Sequence, residues 1–127
     1  MLLSRHLYPD IAKYVSEHRV HYCPNGIPEN HIRGMLIRPL QVKVELLFLS
    51  NLIESKGVDV LLEACQMLKE KMLPFHCTFI GAEADISRHD FEEKVKAYGI
   101  VQYVDYVGRK YGSEKEEAYS CADIFVF

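Results

Sequence analysis

The sequence predicts an α/β fold, a parallel sheet with flanking helices, and three observations carry that prediction. Strand-like and helix-like segments alternate from Val44 to Phe127, the pattern of successive βαβ units. The strand candidates are nearly continuous apolar runs, as strands buried on both faces require. Of the 127 residues, 49% are hydrophobic and 26% charged, which fits an ordinary globular domain and excludes a disordered tail or a coiled coil.

Each element follows from local chemistry. Leu7 to Arg19 has Pro9 where a helix can begin and Ile11, Tyr14, Val15 and His18 on one face, predicting a short helix. Val20-His21-Tyr22-Cys23 reads as a brief strand, stopped by Pro24-Asn25-Gly26 and Pro28. Glu29 to Lys43 keeps no period and reads as a connector. Glu45 to Leu49 is then the first strand of the sheet. Val58, Leu61, Leu62, Cys65 and Leu68 recur at helical spacing until Leu73-Pro74 closes that helix, and Phe75 to Ile80 forms a second strand ending at Gly81.

Ser87 and Asp90 have the spacing of a capping box, opening a helix with Phe91, Val95 and Tyr98 on one face and Gly99 at its C-terminal end. Tyr103 to Val107 makes a third strand and Gly108 to Gly112 a loop. Ser113 with Glu116 repeats the capping-box pattern ahead of a helix running through Tyr119 and Ala122. Ile124 to Phe127 starts a fourth strand. An apolar run of this kind belongs inside a sheet, and a parallel strand leads onward to a covering helix. The expectation is a domain truncated at its C-terminus, with an apolar sheet edge open to self-association.

Charge and cysteine usage narrow the function classes. Fifteen Lys plus Arg against 18 Asp plus Glu give a net charge of −3, without the basic footprint of a nucleic-acid binder. Cys23, Cys65, Cys77 and Cys121 show no CxxC spacing, and no long apolar segment opens the chain, which points to a reduced cytoplasmic compartment. His21 with Cys23, and His76 with Cys77, lack the spacing of structural zinc ligands. Neither GxGxxG nor GxxxxGK[ST] occurs, so a dinucleotide enzyme or a P-loop NTPase is disfavoured.

In open parallel sheets ligands gather beyond the carboxyl ends of the strands. That places Ser50 to Gly57, Gly81 to Ser87 and Gly108 to Gly112 on one rim. Asn51, Lys56 and Gly57 precede a helix, whose free N–H groups and dipole can join a lysine in holding phosphate. The Ser55-Lys56-Gly57 tripeptide taken alone reads more commonly as a solvated lysine beside a turn glycine. Gly81 is at once simple turn chemistry and a place for close ligand approach. Arg109 reads as a surface arginine or as a contact for phosphate or base.

Five segments in order, Pro24-Asn25-Gly26-Ile27, Leu46 to Ala64 (LLFLSNLIESKGVDVLLEA), Phe79 to Gly81, Val104 to Lys110 (VDYVGRK) and Ala118 to Phe127 (AYSCADIFVF), resemble the retaining sugar-nucleotide glycosyltransferases of the group 1 or family 4 type. The resemblance implies a GT-B enzyme, in which two Rossmann-like domains face a cleft. Residues 1–43 would be the tail of the N-terminal domain and a connector, and 44–127 the first half of the donor-binding domain. It also implies a nucleotide-sugar donor, a glycan or lipid-linked acceptor, and work in the cytoplasm or at the inner face of the membrane. No metal cofactor is implied, and the chain has no DxD pattern.

By the same resemblance Asn51, Lys56 and Gly57 would bind the donor phosphates, and Gly81, Val107, Gly108 and Arg109 the nucleotide. Ser50-Asn51-Leu52 stands where the family has Gly-Arg-Leu, and Glu83 where a second glycine is frequent. The family's paired glutamates for the donor sugar lie beyond Phe127, so no catalytic residue is assigned within the chain. Two other readings accompany this one: a non-catalytic nucleotide-binding or interaction module left by truncation, and a GT-B epimerase of nucleotide sugars.

Overall fold

The computed structural model describes residues 1–26 and 43–127, in two units divided between Ile37 and Arg38. In the first unit the helix expected over Leu7 to Arg19 is broken. Its α-helical part, α1, is only Tyr8–Ile11, with 3-10 turns at Arg5–Leu7 and Glu17–Arg19. None of these pieces buries a residue, and a helix of this length without a packed face is not stable on propensity alone. The strand expected over Val20 to Cys23 is a single bridge between Leu2 and Tyr22. Pro28 and the connector up to residue 42 lie outside the described residues.

The second unit is Rossmann-like, with a four-stranded sheet in the order β3-β2-β1-β4. The strands are β1 (Val44–Leu49), β2 (Phe75–Ile80), β3 (Val104–Tyr106) and β4 (Ile124–Val126), and every pairing is parallel. The helices are α2 (Val58–Glu70), α3 (Arg88–Ala97) and α4 (Gly112–Cys121). The strands step outward from β1 through β2 to β3, and β4 then pairs on the opposite side of β1. With right-handed crossovers such a reversal sends α4 to the other face of the sheet from α2 and α3. Accordingly Glu117, Ala118 and Cys121 of α4 share a cavity with Leu47, Thr78 and Ile80 of the sheet.

The core lies under α2 and α3. Leu46 and Phe48, Phe75, Cys77 and Phe79 point one way from β1 and β2 and meet Val58, Leu61, Leu62 and Cys65 of α2 and Phe91 and Val95 of α3. The rings of Phe48 and Phe79 are 5.0 Å apart and those of Phe79 and Phe91 4.9 Å, tilted and edge-on packings that favour aromatic pairs. Cys77 is buried beside Cys65. Their hydrogen bond and the burial push the Cys77 thiol far up, so it stays protonated.

Capping separates the two later helices. At α3 the box is present: Ser87 Oγ accepts from the Asp90 N–H at 3.1 Å, and Asp90 Oδ2 accepts from the Ser87 N–H at 3.4 Å. At α4 it is absent. Tyr111, in extended conformation, is the N-cap without a side-chain hydrogen bond. Because the helix has already begun at Gly112, Ser113 lies inside the first turn instead of at the cap. The apolar strand β4 is the edge strand of the described sheet, with Ile124 51% and Phe125 41% exposed.

Candidate functional site: the carboxyl rim of the sheet

Beyond β1 the chain runs directly over Gly81. A Cβ at that glycine would lie 1.9 Å from the Ser50 carbonyl oxygen and 2.8 Å from the Asn51 nitrogen, so any side chain there would push the two rim segments apart. The crossing is fastened on both sides: Ser50 N–H donates to Ile80 O at 3.0 Å, and Leu52 N–H to Ala82 O at 2.8 Å. Between them the Asn51 side-chain oxygen accepts from the Ala82 N–H at 3.0 Å. The Asn51 carbonyl end is thus committed to the fold, leaving its amide nitrogen as a donor.

The third rim segment is tied to the same point. Gly81 N–H donates to Gly108 O at 2.9 Å, and the Tyr106 hydroxyl donates to Gly81 O at 2.9 Å. Burial and the Glu83 carboxylate hold the Tyr106 hydroxyl above its ordinary pKa, against the opposing pull of Arg88 and Arg109. It therefore remains a donor at neutral pH. Arg88 lies over the Tyr106 ring, 4.5 Å from its centroid, and its guanidinium donates to Tyr106 O at 3.2 Å. Glu83 accepts from the Arg88 N–H at 2.8 Å, so its carboxylate is spent on the start of α3.

Above this platform is a cavity of about 320 Å³ whose lining includes Asn51, Gly81, Arg109, Lys110, Tyr111 and Lys115. Of the residues expected at a site, the structure thus gathers Asn51, Gly81 and Arg109 into one cavity. Lys56 lies instead on an exposed 3-10 turn, Glu54–Lys56, and Gly57 follows it as the N-cap of α2 with φ of +81°. That left-handed conformation suits glycine and turns the chain into the helix. The first turn of α2 carries Asp59, ion-paired with Lys94 at 2.7 Å. This hydrogen bond holds the Lys94 ammonium above its usual range.

Gly108 meets the cavity floor through its carbonyl, which accepts from Gly81, and Val107 lines the neighbouring cavity under α4. Lys110 and Lys115 are the residues that sequence reasoning left without a role. The available signal was Lys115 in the first turn of α4, since a cation there opposes the helix dipole.

Among the described residues no three His, Cys, Asp or Glu side chains are grouped to hold a metal ion, and no helix is long and apolar enough to cross a membrane. The strand order reverses at β1, and the cavity opens at the carboxyl end of that strand, the position where open α/β sheets bind ligands. A family model for glycosyl transferases group 1 matches residues 40–127. No curated protein matches the chain.

Proposed function

The chain belongs to the group 1 glycosyltransferases, and we propose that it binds the nucleotide-sugar donor of a retaining transfer to a glycan or lipid-linked acceptor. The observation that carries this reading is the cavity at the strand-order reversal, floored by Gly81 and edged by Asn51 and Arg109. A departing nucleoside diphosphate gains negative charge as the bond to the sugar breaks. Preorganised donors and cations at the rim lower that barrier because they need not reorganise during the reaction.

In this reading Asn51, Lys56 and the start of α2 at Gly57 meet the phosphates, and Gly81, Val107, Gly108 and Arg109 the nucleotide. Side-chain cations neutralise the diphosphate without a metal cofactor, and transfer takes place in the cytoplasm or at the inner face of the membrane. The test is to incubate the native protein with radiolabelled nucleotide sugars and mixed glycan and lipid-linked acceptors. Labelled product with unchanged anomeric configuration, formed equally well with a chelator present, is the expected result. Inverted product, or no donor-dependent labelling, would overturn the reading.

A further inference from the structure

We infer that Tyr106 and Arg88 are positioning residues for the nucleotide side of the rim, bracing it without touching the ligand. The ligand's identity rests on the reading above; the brace itself is a matter of geometry. Neither residue lines the cavity over Asn51 and Gly81. Both act on residues that do, Gly81 and Arg109.

β3 is an edge strand of the described sheet, three residues long and paired with β2. A short edge strand is a weak anchor for the loop that follows it. Backbone bonds carry the pairing past its end, from Val107 N–H to Phe79 O at 3.1 Å and from Gly81 N–H to Gly108 O at 2.9 Å. Tyr106 adds a side-chain tie. Its ring packs on Phe91 of the core, with centroids 5.5 Å apart, and its hydroxyl donates to Gly81 O at 2.9 Å. Both backbone polar groups of Gly81 are thus spent on the β3 segment, which fixes the orientation of the cavity floor.

Arg88, the first residue of α3, closes the brace. Its guanidinium lies over the Tyr106 ring, 4.5 Å from the centroid, and donates to Tyr106 O at 3.2 Å. One guanidinium nitrogen is 3.5 Å from where a Cβ at Gly108 would stand, and Gly108 turns there with φ of +76°. Glu83 holds the Arg88 N–H at 2.8 Å, and Glu92 pairs with the guanidinium at 3.7 Å. Arg88 therefore joins the start of α3, the segment after β2 and the turn at Gly108. Arg109 follows that turn directly, so the turn sets its approach to the cavity. A loop already held in its binding arrangement spares the ligand the cost of ordering it.

Calorimetric titration of the full chain with UDP, GDP and ADP identifies the nucleotide it binds, against which variants are compared. Tyr106→Phe deletes only the hydroxyl, and Arg88→Met the guanidinium. Each is expected to weaken binding about fivefold, because the competent arrangement of the loop is less populated. Arg88→Lys, which keeps a cation over the ring, should lose about twofold. Tyr103→Phe makes the same deletion before β3, on a ring stacked against Phe75, and should bind as the wild type does. In transfer assays the loss should appear in the donor KM with kcat unchanged, since nucleotide contacts are alike in ground and transition states. Mere loss of folded molecules would lower kcat and leave KM alone. Exchange of the Gly81 amide proton should quicken in Tyr106→Phe without any ligand present. Arg88 is exposed, so Arg88→Met should keep the wild-type melting curve even if Tyr106→Phe does not.

Wild-type nucleotide affinity in both Tyr106→Phe and Arg88→Met, an equal loss in Tyr103→Phe, or a fall in kcat at constant KM would each overturn the positioning role and leave the donor reading standing. Unchanged Gly81 exchange in Tyr106→Phe would do the same. If the unaltered chain binds none of the nucleotides saturably, the donor reading fails and the positioning role fails with it.

Discussion

The sheet face under α2 and α3 is dry and aromatic, whereas the face under α4 is mixed in character and hollow. On the first, Phe48, Phe79 and Phe91 form a continuous cluster of tilted and edge-on rings, and α2 alone buries Val58, Leu61, Leu62 and Cys65. On the second, α4 buries no residue, and a cavity of about 240 Å³ sets Leu47, Ile80 and Val107 beside Glu45, Glu114 and Glu117. The difference divides labour within one small domain. Apolar packing on one face fixes the strands and hence the rim, while the polar helix on the other carries Lys115 to that rim.

The sharpest way to break this comparison is to alter adjacent residues of β2 that face opposite ways. Phe79→Ala should cost about 3–5 kcal/mol, because the cavity opens inside a packed aromatic cluster. Thr78→Val, directed at the α4 face, should change stability by less than about 1 kcal/mol. Urea unfolding of the two variants measures both. Equal losses would mean that the α4 face is packed as firmly as the other.

Gly81→Ala tests whether the dry face also holds the rim. Its new methyl would meet the Ser50 backbone, which no rotamer change can move aside, so a loss of about 1–3 kcal/mol is expected. Exchange of the Ala82 and Leu52 amide protons, both bonded across that crossing, should quicken more than exchange within α2. Unchanged protection would show that the crossing tolerates a side chain.

The smallest expected effect compares the starts of α3 and α4. Ser87→Ala removes a bonded cap and should cost about 1 kcal/mol, whereas Ser113→Ala, inside a turn, should cost less than about 0.5 kcal/mol. Hydrogen bonds from Ser87 hold the Asp90 carboxyl below its ordinary range. A carboxyl with a depressed folded pKa contributes stability above its unfolded pKa and loses it as the pH falls through the folded value. The acid limb of the stability profile should therefore flatten in Ser87→Ala and stay unchanged in Ser113→Ala. Melting curves taken from neutral pH down into the carboxylate range provide the check.

Much of the dry face was legible in the sequence because its signals agree. The spacing of Val58, Leu61, Leu62 and Cys65, the apolar run from Phe75 to Ile80 and the Ser87–Asp90 box each combine local propensity with burial. Where signals lacked a packing partner they misled. Ile11 and Val15 have helical spacing but are only half-buried among the described residues, and Ser113 with Glu116 has capping chemistry but no vacant cap position. At the rim, Asn51, Gly81 and Arg109 could be placed because they directly follow strands. Lys115 could not, since it lies beyond a loop and on a helix whose face of the sheet depends on where β4 pairs.

The sequence by itself determined the alternation of strands and helices and the apolar stripes of α2 and α3, because these depend on residues close together in the chain. Tertiary structure alone decided that β4 returns to the far side of β1, carrying α4 across the opposite face. Strand order is a matter of pairing and crossover handedness between distant segments, with no local signature in the intervening residues. The convergence of Arg109, Lys110 and Lys115 over Asn51 and Gly81 follows from that return.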